Sequence, residues 1–283
     1  MHANELGQIP VLMMHQVVSD PQGDYDMTPA ELRAQLTSLA GQGYVPVTMA
    51  DVAAGKIDIP AGRSPVVLTF DDSSRSQLAL DPAGNPTPDC AVGILQAVAV
   101  AHPGFTATAS FYINHNAFGQ SDPTTYLRWL ARHGYEVGDH TQTHANLRAL
   151  SATGVQQEIG EIQAGITAAL GQGARTMALP FGSEPKPGSL ARVGGSGARA
   201  YDFDAVLLVG ANPASSPFST SWDPDAVPRV RVANKHVEYD AVYWLPKIAS
   251  TRYISDGDPA HISFPKVEAA HLAPADQAMA QPY

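Results

Sequence analysis

Cysteine is almost missing from this sequence. Cys90 is the only one among 283 residues, which excludes an internal disulfide and a thiolate metal site alike. A chain this long buries roughly three quarters of the surface exposed when unfolded, so it needs neither to build a core. Basic residues are also scarce. Seventeen Lys and Arg stand against 27 Asp and Glu, a formal charge of -10, which argues against a nucleic-acid partner, since phosphate binding draws on clustered cations. Long apolar runs are absent as well. No stretch approaches the roughly 20 residues of a transmembrane segment, and the opening MHANELGQIP has neither the basic nor the apolar region of a secretory signal. These absences are compatible with a cytoplasmic protein or with an exported one trimmed of its signal.

What is present is an alternation of strand and helix signals. Short apolar runs without helical period mark strands at 9–15, 44–47, 64–70, 106–113, 135–137, 175–179, 205–209 and 229–232. Thr28, Pro29 and Glu31 form a helix start, with Leu32, Leu36 and Leu39 as its apolar stripe. A short helix follows Thr48, an Ala/Val-rich one spans about 90–102, and another starts at Asp122 and Pro123 with Tyr126, Leu127 and Leu130 inward. Ser151 caps a longer one carrying Val155, Ile159, Ile162, Ile166 and Leu170. Such alternation predicts an α/β fold with a parallel sheet, and a closed barrel in preference to an open sheet. One domain over 1–283 is expected. The Gly/Ser segment 193–198 reads as a surface loop.

In α/β folds the active site lies at the C-terminal ends of the strands. Five segments put polar or special residues there: His15, Asp71-Asp72, Asn114-His115, Asp139-His140 and Pro180-Phe181-Gly182. Two adjacent carboxylates repel each other unless a cation or a shared proton relieves them, although such pairs also occur as plain turns or caps. His140 and His144, four residues apart, can present both imidazoles to one side, as in two-histidine zinc sites, or can be two surface histidines. No Glu follows His140, which excludes the HExxH arrangement. Asp72 is the obvious third ligand, and two nitrogens plus one oxygen leave a position open, the pattern of a catalytic metal.

L-T-F-D-D (68–72), H-T-Q-T-H (140–144) and L-P-F-G (179–182) together resemble the motifs of the polysaccharide deacetylases of carbohydrate esterase family 4, the NodB-homology domain. I-P-V-L-M-M-H-Q-V (9–17) and G-Y-V-P-V-T (43–48) are similar to the subgroup of poly-N-acetylglucosamine deacetylases whose first strand ends in His. The similarity covers about residues 8–232, leaving 233–283 as a C-terminal extension. It implies a distorted (β/α) barrel of about seven strands and a divalent metal, zinc before nickel, cobalt or manganese, on Asp72, His140 and His144. It further implies Asp71 as general base, His15 as general acid, and the backbone N–H of Phe181 as an oxyanion donor; packing is the alternative role for His15. The implied substrate is an acetylated amino-sugar polysaccharide outside the membrane, which would make the protein secreted or envelope-attached.

This sequence departs from the family pattern in places. Ala178 and Leu179 stand where many members place an Arg that orients the base, leaving Arg75 and Arg175 as candidates. Ser73 replaces the usual Gly, and 74–90 looks longer than usual, a possible part of the substrate rim. Pro180 and Trp222 are the candidate sugar contacts; Trp222 could equally be core or lid. Trp129 reads as packing, Tyr243 and Trp244 stay open, and His236 and His261 read as surface. Three rival functions remain: an O-acetyl esterase on xylan or another glycan, an inactive glycan-binding envelope protein, and a barrel glycosidase using acids such as Asp71 and Glu184 without metal.

Overall fold

A computed structural model describes residues 3–233 and 238–283; His236 lies outside them. Strand β1 (Val11–Met14) leads to helix α1 (Pro29–Gly41), then β2 (Tyr44–Val47), α2 (Met49–Ala53) and β3 (Ser64–Phe70). Next come α3 (Ala91–Ala101), β4 (Ser110–Ile113), α4 (Thr124–Arg132), β5 (Glu136–Asp139), α5 (Ala152–Leu170) and β6 (Thr176–Ala178). Beyond a small hairpin of β7 (Val193–Gly194) and β8 (Tyr201–Asp202) lie β9 (Ala205–Leu207) and β10 (Val230–Arg231). The chain finishes with α6 (Ala241–Lys247), β11 (Ile262–Phe264) and β12 (Ala280–Pro282).

The helix starts follow the sequence signals. Thr28 and Glu31 complete a capping box at α1, and Thr48 and Ser151 accept from the third residue of α2 and α5, satisfying N–H groups that a helix leaves unpaired. The sheet is parallel and curled, in the order β10-β1-β3-β4-β5-β6-β9, seven strands on one path. β2 pairs with the first half of β3 (Tyr44 with Ser64 to Val47 with Val67), and β4 meets only the second half, at Thr69 and Phe70. That shared edge explains why β4 starts at Ser110 and not at Thr106, whose hydroxyl donates instead to the Pro46 carbonyl. No strand pair among the described residues joins β9 to β10. A single bridge, Leu207 to Val227, spans the gap, so the barrel is distorted and incompletely closed. The expected loop at 193–198 contains one arm of the β7/β8 hairpin.

Strand alternation sorts the core into two layers. Leu12, Met14, Leu68, Phe70, Phe111, Ile113, Val137 and Met177 face outward and bury against the apolar stripes of the helices. Val11, Val67, Tyr112, Ala178, Ala205 and Leu207 face inward. The C-terminal extension covers this inner layer: Tyr253, Ile262, Phe264 and Leu272 all join it. Glu5 ties the two chain ends together, accepting from the Tyr253 hydroxyl (3.0 Å) and the Ser263 N–H (2.7 Å). No helix among the described residues is long and apolar enough to cross a membrane.

Candidate metal centre and its surroundings

The parallel strands deliver their C-terminal polar residues to one end. Asp72 Oδ1 lies 3.4 Å from His144 Nε2 and 3.5 Å from His140 Nε2, and the three ligand atoms all fall within 4.8 Å of one another. His140 Nδ1 sits 2.7 Å from the Ala178 carbonyl. A carbonyl can only accept, so Nδ1 carries the hydrogen and Nε2 presents its lone pair toward Asp72. An oxygen and two imidazole nitrogens converging this way fit a borderline divalent cation.

Several site residues occupy the left-handed region: Asp72 (φ 72°), Ser73 (46°), Thr141 (64°), His144 (55°) and Phe181 (58°). Such backbone costs energy in residues with a Cβ and persists where surrounding bonds overdetermine it. Those bonds are present here. Ser73 Oγ accepts from the Asn114 N–H, and its carbonyl accepts from the Phe118 N–H. The Asn114 amide donates to the carbonyls of His140 (2.6 Å) and Thr141 (3.0 Å), and the Thr141 N–H donates to Asp139 Oδ1. Burial pushes Asp139 up to about 8, which favours its uncharged form at neutral pH.

Asp71 is buried, 2% exposed, beside the cluster, with Oδ2 3.9 Å from His140 Nε2. The structure supplies its partner, which sequence reading missed: Arg229, itself completely buried, donates Nη1 to Oδ1 and Nη2 to Oδ2, both at 2.7 Å. Arg229 also donates to Thr69 Oγ1 (3.1 Å) and, from Nε, to the Leu208 carbonyl (2.7 Å). Burial alone would raise the Asp71 pKa, but the charge of Arg229, then that of His140 and the guanidinium hydrogen bonds, outweigh it. The carboxyl is held well below its usual range. Arg175 pairs with Asp204 instead, at the opposite end of its strand.

His15 follows β1 and stacks on Tyr25 with ring centroids 5.4 Å apart. Burial, the largest influence, lowers its pKa, while the charges of Asp71 and Asp72 raise it in part. The buried Gln77 amide donates to the backbone carbonyls of both His15 and Asp71. Part of the 74–90 segment therefore braces the site from below, in addition to forming surface. Pro180 is buried in a tight turn that holds Phe181 outward, 65% exposed, with its ring 4.4 Å from that of His144. Trp222 is half-buried and packs against the inner core layer. His261 pairs with Asp258 at the surface, as expected.

A family model described as polysaccharide deacetylase matches residues 58–190. A chitin deacetylase from Pestalotiopsis sp is 29% identical over 74 residues, 26% of this chain and 25% of that protein, so the match spans a quarter of the relative's length. Among solved structures, the Streptococcus pyogenes deacetylase PplD, in complex with acetate, superposes with a TM-score of 0.60 at 20% identity, covering 80% of this chain and 92% of that one. A de-N-acetylase from Aggregatibacter actinomycetemcomitans gives 0.59 at 16% identity, covering 85% and 99%. At these identities the two structures speak for the fold.

Proposed function

We propose that this chain, whose residues 58–190 match the polysaccharide deacetylase family model, is a metal-dependent hydrolase removing acetyl groups from an N-acetylated amino-sugar polysaccharide outside the membrane. The observation that carries this reading is the convergence of Asp72, His140 and His144 beside a buried, ionised Asp71. Their donor set suits zinc best, with nickel, cobalt or manganese as other occupants. A bound divalent ion would polarise the acetyl carbonyl and ease deprotonation of water.

The protein's own groups do the rest. Asp71 takes a proton from the attacking water as the new C–O bond forms, and Arg229 fixes the direction of its lone pairs. The Phe181 N–H donates to the acetyl oxygen as negative charge builds there. His15 delivers a proton to the nitrogen as the C–N bond breaks, releasing acetate and a free amine. A glycosidase reading loses its footing, because Asp71 is locked to Arg229 and Glu184 is exposed on the surface.

The direct test is acetate release from a panel of N-acetylated and O-acetylated glycans, with and without chelator. Release from the N-acetylated members that stops on chelation and returns with added zinc is expected. Release only from O-acetylated glycans, or none at all, overturns the proposal in favour of an esterase or a binding protein. His15 has a separate check. An amine leaves poorly unless protonated, whereas a phenolate leaves unaided, so His15→Ala should lower turnover on the amide about 100-fold and on an aryl acetate far less. An equal fold-loss on both substrates, or none on either, would return His15 to packing.

A further inference from the structure

Residues 239–247 form an aromatic group that the reaction does not use. The Tyr239 ring meets Tyr243 edge-on at 5.0 Å, Tyr243 meets Trp244 at 5.2 Å, and Tyr239 lies 6.5 Å from Trp244. Lys247 covers the Tyr243 ring at 4.4 Å. Tyr239 is 39% exposed and sits in the left-handed region at φ 61°, a conformation a bulky side chain adopts at a cost.

Contacts tie this group to the metal centre. The segment 208–211 is the common link. Its Leu208 carbonyl accepts from Arg229, the partner of Asp71. Its Val209 packs where a Cβ on Gly182, the neighbour of Phe181, would come within 3.2 Å. Its Ala211 carbonyl accepts from Trp244 Nε1 at 2.8 Å. On the other flank, the Arg231 side chain runs against Gly210, within 3.1 Å of where a Cβ would be, and donates Nη2 to the Glu238 carbonyl at 2.9 Å. Gly210 therefore lets the arginine pass, and the arginine fixes the turn that presents Tyr239.

From these contacts we infer that Tyr239, supported by Tyr243 and Trp244, is a stacking subsite for a sugar of the polymer beyond the one being deacetylated, on the β9/β10 side of the metal centre. Pyranose rings have apolar faces that pack on aromatic rings, and tyrosine and tryptophan combine such a face with a polar tip. The group is fixed before any ligand arrives, so little ordering entropy is lost on binding. The inference rests on the deacetylase reading and specifies that the substrate is an extended chain and not a short fragment.

The experiment compares N-acetylglucosamine oligomers of two and six sugars with the zinc-loaded protein. Tyr239→Ala is expected to lower the hexamer-to-dimer ratio of kcat/KM about tenfold, and Tyr239→Phe to restore most of it, since the ring face makes the contact. A ratio unchanged in Tyr239→Ala overturns the subsite. Calorimetric titration of the hexamer into Asp71→Asn, and into Asp71→Asn combined with Tyr239→Ala, separates the two readings. Binding that weakens about tenfold in the double variant supports the subsite even if the wild type releases no acetate, in which case only the deacetylase reading falls. Equal binding to both, or to neither, overturns the subsite.

Discussion

Asp71→Asn is expected to retain about one divalent ion per chain and to lose about 10³-fold in turnover, whereas His140→Ala and Asp72→Ala lose the ion and the activity together. The distinction follows from geometry. His140 contributes Nε2, and Asp72 the single Oδ1 facing both histidines, to one small volume; deleting either leaves two ligands, too few for a tight site. Asp71 stands 3.9 Å from His140 Nε2 and both of its oxygens are engaged by Arg229, so its removal takes away a proton acceptor and no ligand. The amide also turns an NH2 toward a guanidinium, so one of the two Arg229 bonds is lost, and a thermal melt should accompany the kinetics. Metal content by elemental analysis decides the matter. A full complement of ion in His140→Ala would sink the metal site, and undiminished acetate release by Asp71→Asn would remove Asp71 as base.

The placement of that acid is a compromise. A carboxyl held well below its usual range is ionised at any pH the enzyme would meet, but it is also a weak base. Burial and the bidentate guanidinium trade basicity for position: the lone pairs left over can point in only a few directions. The low pKa is offset when the proton donor is water made acidic beside a cation, so a strong base is not required.

Much of this arrangement was legible from local sequence because the chemistry sits next to strand ends. The pattern SPVVLTF followed by two acids announces both a buried strand and its functional tip, and the observed β3 spans Ser64–Phe70. Thr28 and Ser151 specified their helices through short-range hydrogen bonds. Arg229 was not legible in the same way. It pairs with Asp71 across 158 residues, from the position just before a two-residue strand (Val230–Arg231) whose placement depends on how the sheet curls. A signal does exist in Arg229-Val230-Arg231-Val232, where alternation puts two arginines on the inward face, a costly placement unless each has a partner. Trp222 and the extension 233–283 were opaque for a related reason. Trp222, Tyr253, Ile262, Phe264 and Leu272 pack on the inner core layer and Ser263 on Glu5, partners far away in sequence.

Arg229→Ala should be the most destabilising change at the site. It leaves a buried carboxylate without its counter-charge, which typically costs about 3–5 kcal/mol. Arg229→Lys, keeping the charge but not the fork, should fall between. The pH dependence carries a definite sign. In the wild type the Asp71 pKa lies below the ordinary carboxylate value of 3.8, so the pair's contribution is present above that value and is lost as pH falls through the folded pKa. In Arg229→Ala, burial, the largest influence, is no longer opposed by the guanidinium, and the folded pKa rises. Asp71's own contribution in the variant is then fullest at low pH and declines as pH climbs through the raised value. The gap between wild type and variant in urea melts should be widest near neutrality and narrow on acidification, and the acid limb of kcat/KM should move to higher pH. Asp71→Ala combined with Arg229→Ala should recover part of the loss, because removing the carboxylate removes the uncompensated charge. A gap that stays constant with pH, together with an unmoved acid limb, would mean that Arg229 only packs and that another group holds Asp71 in its charged state.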